Sequence, residues 1–286
     1  MHELDQPTTQ RHRRFWLDDG DLLLSNRGIL YKVHRAPFEH CSSTFLSSLQ
    51  PSDGIVMEGI KALRIPDNRQ VDTEDLEVLI EHVSGDTPID DSTPFPKVAS
   101  LLRASSEGQL DFSAVNTLAR SHLERLFPTG HDLFARSEYA EEALILSTQY
   151  NIPSIRKPLF YTVATHPHEH DAADIAAAHP ALSPDLAARC ETLLENLVSH
   201  FTPVLFTVAT AGHMACTDIL AEQWMSLVIS PALEDNGLTR PLETLERIIG
   251  IDWRKEGLCE ECVRDKTEEW RGEQETVWEA MDAWVG

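Results

Sequence analysis

Apolar positions alternate in short runs near the start of the chain and recur at helical spacing almost everywhere after residue 66. Residues 15 to 33 read as two strands joined by the turn Ser25-Asn26-Arg27-Gly28, a hairpin pattern. A helix from about Pro37 to Leu49 follows. A Gly/Ser/Asp-containing stretch over 50 to 60 then leads to a short strand from Ala62 to Ile65, stopped by Pro66. Leu76, Leu79, Ile80 and Val83 recur at i, i+3, i+4 and i+7, which predicts an amphipathic helix over 73 to 84 with acidic residues in its first turn.

Gly85 to Pro96 is rich in Asp, Thr and Pro and reads as a loop. Helices are expected over 96 to 104, over 114 to 126 behind Ser113 with Val115, Leu118, Ala119, His122 and Leu126 on one face, over 138 to 150, and over 153 to 164. From 166 to 180 the chain is polar, Ala-rich and bracketed by prolines, which marks a linker or long loop. Ser183-Pro184-Asp185 supplies an N-cap with proline at the first helical position, and Leu186, Cys190, Leu193, Leu194, Leu197 and Phe201 form a broad apolar stripe. Helical patterns continue at 204 to 211, 217 to 229, 241 to 249 and 259 to 284. The expected class is α+β, mostly helical: a small sheet capped by helices, followed by an all-helical C-terminal region.

Asp21, the strand Leu22 to Leu24, the turn, Tyr31, Val33-His34-Arg35, Cys41-Ser42-Ser43 and Phe45 stand in an order that resembles the opening of a BTB/POZ domain. From His34 to Leu49 the alignment needs no gap. Phe15 to Gly20 (FWLDDG), with Trp253 and the pair Cys259/Cys262, is similar more narrowly to the BTB-domain proteins of mushroom-forming fungi. The resemblance implies a BTB-like domain over 15 to 165; the polar leader over 1 to 14 reads as a flexible arm, 166 to 180 as a linker or loop and 181 to 286 as a helical region. The resemblance also implies a non-catalytic protein-interaction module that forms homo-oligomers. Asp21 and Arg35 would lie in a charged pocket near the interface, with His34, Phe15 and Trp16 as further protein-binding residues. Some members of the family deliver substrates to cullin-type ubiquitin ligases and some act in transcriptional regulation. The chain shows no kelch repeat, MATH domain or zinc-finger array, so both roles stay at family level.

Charge narrows the partners. With 47 acidic against 24 basic residues and a formal net charge of −23, the chain is poorly suited to neutralising phosphates, so nucleic acid is not expected as a partner. The one basic knot, Arg11-His12-Arg13-Arg14, reads as part of the solvated arm. No segment approaches the ~20 apolar residues of a membrane helix, and no secretory pattern opens the chain. An intracellular protein, cytoplasmic or nuclear, is expected, its five cysteines fitting a reducing compartment.

Candidate chemistry is sparse, and no cofactor or catalytic residue is expected. Ser154-Ile155-Arg156-Lys157 satisfies an SxxK pattern without its companion motifs, and Pro158 follows at once. His166, His168 and His170 alternate in a polar loop and could gather a metal, although a solvated His-rich loop is the simpler reading. Cys259 and Cys262 form a CxxC pair, but a structural zinc needs four ligands and no second CxxC or HxxxH follows. Their acidic neighbours should raise a thiol pKa, so the pair is expected to be reduced and metal-free. The alternative to an interaction module is a metal-binding or hydrolytic enzyme using one of these two clusters. Trp270, Val277, Met281 and Trp284 share one stripe of the last helix and read as a core or docking face.

Overall fold

The computed structural model describes residues 9–85, 88–127, 138–166 and 179–285. Among the described residues helices make up 62% and strands 12%, an α+β composition, and every strand lies before residue 65. The chain divides into two compact units, residues 1–127 and 128–286.

The first unit is built on a five-stranded mixed sheet in the order β1-β3-β2-β5-β4. Its strands are β1 Gln10–Trp16, β2 Leu22–Asn26, β3 Ile29–Val33, β4 Gln50–Met57 and β5 Ile60–Arg64. β2 and β3 pair antiparallel, with Leu24 opposite Tyr31 and Asn26 opposite Ile29. Arg27 and Gly28 then make the turn, both at positive φ, the backbone that a two-residue hairpin of this twist demands and that glycine adopts freely. Glu58 and Gly59 repeat the device between β4 and β5. The stretch over 50 to 60, expected only to separate the helix from the strand at Ala62, is therefore mostly strand. Its alternation is masked because β4 loses register with β5 between Pro51 and Val56.

The arm expected over 1 to 14 is likewise strand from Gln10, paired parallel with β3. Its basic residues are held by neighbours: His12 stacks against Phe15 and Tyr31 at centroid distances of 5.0 and 4.9 Å and bonds Glu77, while Arg14 pairs with Glu81.

The helix expected from Pro37 to Leu49 is two, α1 Arg35–Cys41 and α2 Phe45–Ser48. Between them the Ser42 hydroxyl accepts from the Phe45 amide at 3.1 Å and donates to the Asp111 carbonyl at 3.0 Å, a local alternative to helical bonding that small hydroxyl residues favour. Phe38, Phe45 and Phe112 pack together beneath this break. α3 Thr73–Val83 is capped by Asp72 and buries Leu76, Leu79, Ile80 and Val83, as its spacing predicts. α4 Phe95–Ala104 and α5 Ser113–Leu126 complete the unit, and Arg103 makes a two-pronged ion pair with buried Asp75 at 2.8 Å. On α5 Val115, Ala119 and His122 are buried, but Leu118 and Leu126 are exposed and Leu123 takes their place in the core.

All described helices of the second unit follow residue 139. They are α6 Ala140–Gln149, α7 Pro153–Thr165, α8 Pro184–Phe206, α9 Met214–Trp224, α10 Ser230–Glu234, α11 Pro241–Gly250, α12 Trp253–Glu256 and α13 Glu260–Val285, with a π-helical turn, Met225–Ile229, joining α9 to α10. The pair α6–α7, expected to close the first domain, packs instead in the second unit, where Lys157 of α7 bonds the Trp278 carbonyl and Asp282 of α13. That contact also absorbs the lysine of the SxxK pattern. Ser183 caps α8 by accepting from the Leu186 amide, and Leu186, Cys190, Leu193, Leu197 and Phe201 are buried. The helix expected over 204 to 211 is only the tail of α8, since residues 207 to 213 are not helical. On α13 the stripe of Trp270, Val277 and Met281 is core, with Trp284 half-buried against His200. No helix among the described residues is long and apolar enough to cross a membrane.

Candidate functional site

The cysteine pair has the partners that its spacing did not reveal. His213 caps α9 and Cys216 lies in that helix's first turn, while Cys259 immediately precedes α13 and Cys262 lies in its first turn. Backbone bonds from Thr217 to the His213 carbonyl and from Val263 to the Cys259 carbonyl fix both helix starts. A cap residue and the residue three positions later bracket one helical turn, so each pair presents both donors on the same side. The two turns meet: His213 Nδ1 lies 3.2 Å from Cys259 Sγ and 3.5 Å from Cys262 Sγ, and the sulfurs of Cys216 and Cys259 are 3.7 Å apart. All four donor atoms fall within 4.8 Å of one another, the one such group among the described residues. The expectation of a two-ligand pair is thus corrected to a four-donor set, whose second half is an HxxC rather than a second CxxC or HxxxH.

Packing positions the set. Gly257 adopts φ +110°, and a Cβ there would meet Ile219 of α9 at 3.1 Å, so glycine both makes the turn and lets the 257–259 segment approach that helix. Leu258, Cys216 and Cys262 are buried in one cluster with Trp224, Trp253 and Trp270, whose rings lie 5.8 to 6.4 Å apart. His213 closes the solvent side, its Nε2 lying 3.9 Å from Glu261.

Electrostatics also differ from expectation. The Cys262 backbone N–H, followed by the His213 ring, pulls the Cys259 thiol down to about 6, and the helix start outweighs the acidic neighbours. Bonding to Cys259 in turn raises His213 above its ordinary range. Burial raises Cys262.

The residues drawn from the family resemblance lie in the first unit. The Asp21 carboxylate does not face the Arg35 guanidinium; it accepts from the Arg35 backbone amide at 2.7 Å, capping α1 from the neighbouring strand end. The guanidinium reaches Glu39 at 3.6 Å, and His34 lies 3.5 Å from Asp19. Asp21→Ala is therefore expected to cost about 1 kcal/mol of unfolding free energy, the usual worth of a helix cap, whereas Arg35→Gln costs at most about 0.5 kcal/mol because the amide remains. Denaturant titration of both variants checks this; an Arg35 variant as costly as the Asp21 variant would restore the charged pocket. Phe15 is only 7% exposed and belongs to the unit's own core, so it is not a surface contact. Trp16 is half-buried beneath Arg11, with 4.6 Å from guanidinium to ring. His168 and His170 lie outside the described residues, as does most of the linker expected over 166 to 180.

His166, described at the end of α7, lies 3.6 Å from Glu243, which accepts from the Tyr161 hydroxyl. Burial raises Glu243 above the ordinary 4.5, against the lowering effect of that hydrogen bond, and its Oε1 is buried without a hydrogen-bond partner. A raised carboxylate favours the fold while protonated and loses that contribution as pH climbs through its folded pKa. Glu243→Gln should therefore gain stability relative to the parent at neutral pH, and the gain should vanish below pH 4.5. Thermal midpoints of both proteins across that range test it; a pH-independent difference would show that ionisation is not involved.

Searches against protein-family models and against curated proteins find no match to this chain.

Proposed function

We propose that the chain is a non-catalytic, BTB-like interaction protein whose first unit self-associates and whose helical second unit serves as a platform for other proteins. The observation that carries this reading is the order of elements over residues 10 to 83: hairpin, helix opening at Arg35 and tied to the hairpin by Asp21, second hairpin, then α3. The residue match from Asp21 to Phe45 falls on the first part of that order.

In this reading a second copy seats on the half-buried residues of one sheet face. Leu23, Leu30 and Ala62 form a cluster surrounded by half-buried Trp16, Ile55, Met57 and Ile60, all of them strand residues. Trp16 and Met57 stand on opposite edge strands, so a partner seated on this face would cover the whole width of the sheet. A stable homodimer needs on the order of 1,600 Å² of total buried area.

Light scattering of the full chain at tens of micromolar is expected to report a dimer, and Trp16→Asp or Met57→Asp should shift it to monomer without changing its circular dichroism. A wild-type protein monomeric throughout that range would contradict self-association. A dimer indifferent to both changes would place the interface elsewhere.

A further inference from the structure

We infer that His213, Cys216, Cys259 and Cys262 hold a structural Zn²⁺ ion whose coordination positions are all filled by the protein. The inference is independent of the self-association reading.

Geometry comes first. A tetrahedral zinc with Zn–S near 2.3 Å and Zn–N near 2.0–2.1 Å sets its ligand atoms about 3.5 to 3.8 Å apart along the edges. The observed separations of 3.2, 3.5 and 3.7 Å lie at those edges or slightly inside them, and no donor of the four lies farther than 4.8 Å from another. A disulfide would bring two sulfurs to about 2.05 Å and would leave the third thiol and the imidazole with no reason to converge.

Donor chemistry selects the ion. Three thiolates and one imidazole form a soft set suited to Zn²⁺ rather than to Ca²⁺ or Mg²⁺, which take oxygen ligands. The nearby carboxylate fits too: Nδ1 faces the sulfurs, so Glu261 beside Nε2 stands where metal-bound histidines commonly find an acidic partner. Three thiolates on a divalent cation leave one net negative charge, which the N-termini of α9 and α13 are oriented to stabilise.

The role follows from the count. Four protein ligands leave no position for water or substrate, which is the arrangement of structural rather than catalytic zinc. Cys216 and Cys262 are 5% and 2% exposed above the tryptophan cluster, so solvent reaches the set past His213 and the half-buried Cys259. The ion would tie together two helix starts 43 positions apart, Cys216 to Cys259, closing the loop that contains α10, α11 and α12.

The test uses the full chain purified after expression with zinc and dialysed before elemental analysis. One zinc per chain is expected, lost in Cys259→Ser/Cys262→Ser and in Cys216→Ser but kept in Cys190→Ser. Because a ligand variant could fail to fold, a second measurement uses the wild type: Co²⁺ loading should give intense ligand-field bands with thiolate-to-cobalt charge transfer, and three of the five cysteines should resist alkylation only while metal is bound. Wild-type protein without zinc, zinc retained by the ligand variants, a disulfide within the set in a non-reducing peptide map, or five equally reactive thiols would each overturn the assignment.

Discussion

Removing zinc with a chelator is expected to open the segment between α8 and the first turns of α13, the largest effect foreseen for this chain. In small zinc-finger peptides the metal supplies roughly 10–16 kcal/mol of apparent binding free energy, essentially all of it needed to fold them. Here much of α9 and α13 is already packed on the Trp224–Trp253–Trp270 core, so the metal contributes a share of that range rather than the whole. The opening should still be complete enough to read. Hydrogen exchange should accelerate over 207 to 262, and tryptophan emission should shift to the red as Trp253 and Trp224 lose their cover. The first unit, which contains none of the four ligands, should keep its protection. Exchange unchanged across 214 to 224 after complete metal removal would mean that packing alone holds the two turns together.

Trp253→Ala should cost about 3–5 kcal/mol, the range for removing a large buried aromatic. Trp253 is 1% exposed, stacks on Trp224, meets Trp270 at a tilt, and donates its indole N–H to the Ile248 carbonyl at 3.0 Å. Trp253→Phe separates the contributions. It keeps most of the apolar area but loses the donor; the Ile248 carbonyl retains the Ile251 amide at 3.3 Å, so the added cost is that of one hydrogen bond, about 0.5–1.5 kcal/mol. Urea unfolding of the two variants measures both. A Trp253→Ala cost below that of Trp253→Phe would show that the ring is not a structural centre of the helical unit. The substitution should also weaken zinc retention, since Trp253 begins the short helix that ends at Gly257, just before Cys259.

How much of this could be read beforehand depended on whether the signal was local. The β2–β3 hairpin, α3, α4, α7, α11 and α13 announce themselves through turn residues or apolar spacing within a dozen positions, and they form where those signals predict. β4 did not, because Gly54 at positive φ and an irregular register break the alternation that marks a strand. β1 did not either, since its hold on the sheet depends on backbone pairing with β3 and on His12 and Arg14 finding acidic partners on α3. The break after Cys41 rests on a bond from Ser42 to residue 111, and no reading of the neighbourhood reveals it.

The four-donor set is the clearest case of a divided signal. Cys259-Glu260-Glu261-Cys262 is conspicuous, but His213-Met214-Ala215-Cys216 looks like an ordinary helix start until the fold brings the two together. The local clue is a cap histidine with a cysteine three positions on, an HxxC that matches the CxxC in spacing. Asp21 and Arg35 illustrate the reverse. Sequence position correctly made them neighbours, but it could not show that the carboxylate would choose the backbone amide over the guanidinium.

X-ray absorption at the zinc edge of the purified full chain tests the four-ligand zinc site, because it counts and identifies the atoms bound to the metal. Three sulfurs at about 2.3 Å and one nitrogen at about 2.0–2.1 Å are expected, with a histidine ring beyond the nitrogen. A shell dominated by oxygen, or one with fewer than three sulfurs, would contradict it.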